Sequence, residues 1–185
     1  MRSLLCAALL ATHLGSGPLV AQMPFDVGGP FALTDHTGAP RTEADPEGLP
    51  QLLFFGYANC PGICTAALPL MGDVTDILAQ QGIALRPVMI TVDPARDTVE
   101  TMGPKLAEHH GSFIGLTGDP VALEVAYNAF SIDHALAYED PTYGPVYTHG
   151  SFIYLLDGKG EVLTLILPVM DAAKAAAIAL KYLGS

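Results

Sequence analysis

Cationic side chains are scarce in this chain: 8 lysines and arginines stand against 19 aspartates and glutamates, a formal net charge of −11 over 185 residues. Such a surface repels phosphate backbones and anionic headgroups, which argues against nucleic acid and anionic lipid as ligands. Most of these carboxylates read as a solvated acidic surface. The same sign favours a cationic donor or a docking partner with a basic rim. Cysteine is scarcer still, with three in all. The N-terminal apolar run from Leu4 to Leu14 is well short of the roughly 20 residues that a membrane-crossing helix needs. There is no internal repeat, no second apolar core and no glycine-rich nucleotide cradle, so solenoids and nucleotide-driven chemistry are set aside. The length suits one domain with a full core.

The first residues read as separate from that domain. Met1-Arg2, the apolar run, Gly15-Ser16-Gly17-Pro18 and a cut after Ala21 have the layout of a secretory signal peptide over residues 1–21. Leu19 departs from it, at a position where a small residue is preferred. The expectation is export to the periplasm, with an N-terminal membrane tether as the alternative, and a single domain over residues 22–185. Removal of Arg2 makes the mature chain one unit more negative. Cys6 leaves with the segment, so Cys60 and Cys64 are the only thiols of the mature protein.

After a flexible lead-in at residues 22–30, residues 31–34, the turn Asp35-His36-Thr37-Gly38 and a return through Arg41 predict a hairpin. His36 reads as a solvated turn residue. Residues 51–55 predict a strand buried on both faces. Ala67, Leu68, Met71, Val74, Ile77 and Leu78 recur at helical spacing up to Gln81, with Pro69 predicting a kink or a late start and Met71 read as core. A second buried strand covers residues 84–91. The next helix, capped by Asp97 or Thr98, runs to His109-His110 with a break or kink at Gly103-Pro104, and the two histidines read as structural. Then come a strand at 113–117, a helix from Asp119-Pro120 to Phe130, an extended stretch at 131–138 and a polar loop at 139–147. Two strands at 152–156 and 161–167 around the turn Asp157-Gly158-Lys159-Gly160 precede a last helix at 171–183. This order implies an α/β sandwich with a mixed central sheet flanked by helices and an extra N-terminal β-hairpin.

Chemistry concentrates where the 51–55 strand stops, at Cys60-Pro61-Gly62-Ile63-Cys64. A helix beginning near Cys64 puts both sulfurs at its first turn, where free N–H groups and the helix dipole favour thiolate. A disulfide closing so small a loop removes little chain entropy, so a purely structural bond is disfavoured. A soft metal and disulfide exchange both remain open.

Gly56-Tyr57-x-x-Cys60-Pro61-x-x-Cys64, Val92-Asp93-Pro94-x-Arg96-Asp97-Thr98, Phe113-Ile114-Gly115-Leu116-Thr117-Gly118, and His149 ahead of Phe152-Ile153-Tyr154-Leu155-Leu156-Asp157 together resemble the Sco/SenC family over residues 28–183. The resemblance implies a thioredoxin-like fold and a protein that delivers copper to the dinuclear centre of cytochrome c oxidase subunit II, or to another copper acceptor, or reduces the cysteines of that centre. It implies Cys60, Cys64 and His149 as copper ligands, with Asp93 at a position linked to redox and transfer. Two soft thiolates suit Cu(I), and an added imidazole can also accept Cu(II). Zinc at a structural site usually takes four ligands, and the mature chain offers no third cysteine. Asp93 equally reads as a strand-ending turn former, and Tyr57 as a wall of the site or as core. The sequence departs from many family members by Gly62 where an acidic residue is common, Thr65 where a proline is common and Thr148 where an aspartate is common. The rival reading is a thiol-disulfide reductase using Cys60 and Cys64 as a redox dithiol, supplied by a periplasmic thiol reductant. A copper carrier instead needs a periplasmic copper donor. A peroxidase-like catalyst or redox sensor ranks behind both.

Overall fold

Strand β3 (Gln51–Gly56) is buried at every position, which a continuous apolar run achieves only in the middle of a sheet covered on both sides. Its side chains alternate between two layers. Leu52 and Phe54 join Ala67, Leu68, Met71, Val74 and Leu78 of helix α1 (Cys64–Ala79) and the alanines Ala175, Ala176 and Ala179 of α4 (Ala172–Leu183). Leu53 and Phe55 join Leu123, Ala126 and Tyr127 of α3 (Pro120–Ala129), with Phe130 just beyond it. The computed structural model describes residues 26–184. The signal-peptide segment 1–21 lies outside the described residues.

Among the described residues the main sheet has seven strands in the order β2 (Pro40–Arg41), β1 (Leu33–Asp35), β5 (Ile114–Thr117), β4 (Arg86–Thr91), β3, β8 (Ile153–Leu156), β9 (Val162–Ile166). The pairs β3–β4 and β4–β5 are parallel and the rest antiparallel, so the sheet is mixed and the N-terminal hairpin continues it at one edge. Arg41 reaches Asp45 at 3.2 Å, and Asp45 is also held by Arg86 at 3.1 Å, a buried ion cluster that staples this hairpin to β4. Register decides where the chemistry lies. Gly56 pairs with Thr91 at the carboxyl ends of β3 and β4, so the loops leaving these strands are neighbours. Strand β8 runs antiparallel to β3 with Leu53 opposite Tyr154, so residues preceding β8 arrive at that same edge.

Several local expectations change. Helix α1 starts at Cys64, as the dithiol reading supposes, and is continuous through Pro69, so the proline does not delay its start. Likewise α2 (Val99–Ala107) runs through Gly103-Pro104 without the expected break. Both prolines are exposed, and so are Thr65 and Glu100, whose carbonyls lose an intrahelical donor, so water can satisfy those groups. Gly115 lets α2 lie close on the sheet, since a Cβ there would sit 2.7 Å from both Leu106 and Met102. His36 is half-buried rather than solvated: its Nδ1 accepts the N–H of Gly115 at 3.0 Å. His110 is structural, facing Asp76 through Nε2 and accepting from Ser112 at Nδ1. The stretch expected as an extended segment and a polar loop is a second hairpin, β6 (Ala135–Asp140) and β7 (Gly144–Thr148). Its turn is shaped by Asp140, whose carboxylate accepts the N–H groups of Thr142 and Tyr143, and by Gly144 at φ +74°. Residues 135–139 are all exposed, so no inside-outside alternation marks the strand.

Candidate metal centre

Three donor atoms converge at the carboxyl edge of β3. His149 Nε2 lies 3.7 Å from Cys60 Sγ and 3.6 Å from Cys64 Sγ, and all three atoms lie within 4.8 Å of one another. Metal–sulfur and metal–imidazole bonds of about 2.0–2.3 Å let one ion bridge donors at such separations with little movement. The Gly150 carbonyl lies 2.9 Å from His149 Nδ1 and can only accept, so the neutral imidazole carries its proton there and turns the Nε2 lone pair to the sulfurs. The rings of Phe54 and Tyr57 stand nearly perpendicular to the imidazole at centroid separations of 5.7 and 5.8 Å and fix its plane. Two thiols and one imidazole are a soft, three-point donor set, suited to Cu(I) with room for Cu(II).

The two thiols are free and unequal. Cys60 is half-buried, whereas Cys64, the first residue of α1, is only 2 % exposed. The Cys64 S–H donates to Cys60 and the N–H groups of Cys64 and Gly62 point at the Cys60 sulfur, holding its pKa well below the usual thiol range. Cys64 moves the opposite way because it donates its proton to Cys60 and is buried. The helix terminus thus favours thiolate at Cys60, outside the helix, more than at Cys64 inside it. Beside the sulfurs lies a cleft of about 340 Å³ lined by Cys60, Pro61, Ile63, Tyr138, Val146 and His149.

The supporting residues include some that sequence reasoning did not single out. Gly56 is one: a Cβ there would stand 2.9 Å from Cys64 Sγ and 2.8 Å from the Phe54 ring, so the missing side chain is the space the sulfur occupies. Thr65 closes the cysteine loop by donating its N–H and its hydroxyl to the Gly62 carbonyl, at 3.1 and 2.8 Å. A proline at 65 has neither donor. Gly62 is exposed, its φ lies outside the left-handed region, and a Cβ there would make an ordinary 3.7 Å contact with Cys60 Sγ. Its backbone therefore does not require glycine.

Tyr57 is buried, its hydroxyl accepts the Tyr147 N–H at 3.2 Å, and burial together with the negative Cys60 beside it pushes its pKa up to about 12. Asp93 is 2 % exposed and ion-paired to Arg96. Its N–H donates to Thr91 Oγ1, and its carbonyl accepts from the N–H groups of Arg96 and Asp97. Asp97, which the sequence offered only as a helix cap, leaves that place to Thr98 and accepts from Ala58 N–H at 3.0 Å and Thr91 Oγ1 at 2.8 Å, tying the loop after β4 to the approach to Cys60. Burial raises its pKa. Arg96 had no assigned role. Spacing along the chain carries no sign of these contacts, because they join loops that meet only when β3 and β4 pair. Met71 is fully buried in the core and His36, His109 and His110 stand in other parts of the fold.

A thioredoxin-like sheet with a dithiol at the carboxyl end of β3 and an imidazole brought beside it defines a protein of thiol chemistry, able to hold a soft metal or exchange disulfides. The comparisons narrow this to one family. A model of the SCO1/SenC family matches residues 20–184, and the chain belongs to that family. It is 33% identical over 163 residues to a SCO2-like protein of Rickettsia conorii, covering 84% of this chain and 78% of that protein. In structure it is similar to copper-bound ScoI of Arabidopsis thaliana, with a TM-score of 0.79 and 28% identity, covering 85% of this chain and 98% of the other. It also shares the fold of BsSco, a member of the Sco family of cytochrome c oxidase assembly proteins, with a TM-score of 0.64 and 22% identity over 85% of this chain and 94% of that one.

Proposed function

We propose that this protein is an exported copper chaperone of cytochrome c oxidase assembly, which holds one copper ion through Cys60, Cys64 and His149 and delivers it to the dinuclear copper centre of the oxidase. The observation that carries this reading is the convergence of two sulfurs and one properly oriented imidazole nitrogen within 4.8 Å. Membership of the SCO1/SenC family and likeness to a copper-bound relative support copper as the cargo. Cys60, His149 and the adjoining cleft are only partly covered, so an acceptor's thiol can approach the ion and replace these ligands one at a time. The copper donor and the oxidase subunit are the partners this route requires. No helix among the described residues is long and apolar enough to cross a membrane, and export rests on the segment at residues 1–21. Anaerobic titration with Cu(I) tests the site: saturation at one ion per chain and weaker binding by His149→Ala are expected. Absence of binding, or indifference to that substitution, overturns the reading.

The inequality of the thiols favours a second reading, reduction of the acceptor's cysteines. The Cys60 thiolate attacks one sulfur of a substrate disulfide, forming a mixed disulfide and expelling the other sulfur as a thiolate. Cys64, deprotonated to that leaving group or to solvent, then attacks Cys60, closing the Cys60–Cys64 disulfide and releasing the second substrate thiol. The substrate gains two electrons and an external thiol reductant restores the pair. This activity needs no imidazole ligand. Turnover of a disulfide peptide that survives His149→Ala supports it, and a wild-type protein that leaves the peptide oxidised overturns it.

A further inference from the structure

The hairpin that delivers His149 forms its own two-stranded sheet and shares no ladder with the seven-stranded sheet. Pro145 and Tyr147, alternate residues of β7, turn their backbone groups to one edge, and the carbonyl of Tyr143 in the turn ahead of the strand meets the same guanidinium as that of Pro145. That edge meets side chains in place of another strand. Arg96 Nη1 donates to the Tyr143 carbonyl at 2.5 Å and Nη2 to the Pro145 carbonyl at 2.7 Å. The Tyr147 N–H donates to the hydroxyl of Tyr57 at 3.2 Å. Arg96 is itself fixed. Its Nε donates to the buried carboxylate of Asp93, and its guanidinium lies 5.7 Å from the centre of the Tyr57 ring. Gly144 leaves it room, since a Cβ there would stand 2.9 Å from Nη1. Thr148 ends β7 and His149 follows at once, with its ring against Tyr57.

We propose that Arg96 is a positioning residue for His149: anchored on Asp93, its guanidinium takes the place of a neighbouring strand along β7 and, with the Tyr57 hydroxyl, holds the imidazole over the dithiol. The proposal rests on the reading of Cys60, Cys64 and His149 as one copper site. Cys60 and Cys64 stand on the loop and helix that follow β3 and do not depend on the hairpin, so releasing Arg96 moves the imidazole and leaves the sulfurs in place. The role needs the forked geometry of a guanidinium, which serves a carboxylate and two carbonyls at once. An ammonium can pair with Asp93 but lacks the planar fork.

The test compares wild type, Arg96→Lys and Arg96→Met in the full chain, each with His149 and with His149→Ala. In metal-free protein, amide exchange across residues 144–148 is expected to accelerate at least about tenfold in both Arg96 variants, the scale set by losing charge-assisted hydrogen bonds. Exchange in β3 and β4 stays unchanged, which reports that the body is folded, and the His149 ring resonances shift. Competition with a colorimetric Cu(I) chelator is expected to show both variants weakening binding about tenfold when His149 is present and no further when it is Ala, the scale of lost supporting contacts. Lysine does not rescue. Unmoved His149 resonances, unchanged exchange at 144–148, rescue by lysine, or an equal loss of affinity in the His149→Ala background each overturn the proposal. A wild-type protein that takes no copper overturns the copper reading instead, and the resonances and exchange still decide whether Arg96 places the imidazole.

Discussion

The two halves of the donor set are held by different means. Cys60 sits on the loop between β3 and α1 and Cys64 opens α1, and these two elements are locked together by Phe54, Ala67, Leu68 and Met71 in the larger of the core's two layers. His149 sits at the exit of a hairpin whose first strand is exposed from Ala135 to Glu139 and whose ties to the body include the side chains of Arg96 and Tyr57. One half is fixed by packing, which is dense and hard to shift. The other relies on ring contacts and on hydrogen bonds that water can replace at a net cost of about 0.5–3 kcal/mol each. Under the proposed carrier function that contrast is useful: the sulfurs would keep the ion while the imidazole yields its place to an incoming ligand.

Substitutions at the sulfurs should have the largest effect. Cys60→Ser or Cys64→Ser is expected to weaken Cu(I) binding by more than about 100-fold in chelator competition, since even outer-shell changes at metal sites cost about 10–100-fold. His149→Ala should cost about tenfold for Cu(I), which two thiolates can hold, and should abolish the visible Cu(II)–thiolate band. A retained band would mean that both halves of the donor set are not needed together. Gly56→Ala attacks the packed half from within by forcing Cys64 Sγ aside. It is expected to lower stability by about 1–3 kcal/mol in urea unfolding, an overpacking cost, while the hairpin keeps its amide protection.

The thiol inequality makes a subtler prediction. At pH 6, iodoacetamide should label Cys60 ahead of Cys64, because Cys60 is the thiolate and the more accessible sulfur. Cys64→Ala removes the S–H that stabilises that thiolate, so the Cys60 pKa rises and its labelling profile moves to higher pH; a profile that stays put would show that the helix N–H groups suffice. The smallest effect belongs to Gly62→Asp. The position is exposed and has room, so stability should stay within about 0.5 kcal/mol. The new carboxylate beside Cys60 should raise its pKa slightly by like-charge repulsion.

Much of the architecture was legible because burial leaves a periodic mark. The run at 51–55, the helical spacing after Cys64 and the strand-turn-strand around Asp157-Gly158-Lys159-Gly160 all appear as expected. Of the hairpin at 135–148 only the extended character of the first strand was legible; its pairing with β7 was not, since residues 135–139 are solvated and the pairing uses backbone groups, which write nothing into the pattern of side chains. Pro69 does not delay its helix and Pro104 does not end its own for a related reason: the carbonyl four residues earlier is exposed in each case, and water supplies the missing partner.

The order of the motifs and the types of the donor atoms are properties of the chain itself. A dithiol after an apolar strand, in a chain otherwise poor in cysteine, already limits the chemistry to soft metals and disulfides. That His149 joins Cys60 and Cys64 across 89 and 85 residues follows from the antiparallel register of β8 on β3. That Cys60 rather than Cys64 is the thiolate, and that Gly56 makes space for a sulfur, depend on distances of a few ångströms between segments far apart in sequence. Local composition encodes which elements form, whereas proton sharing and close approach are decided only when the two edges of β3 acquire their neighbours.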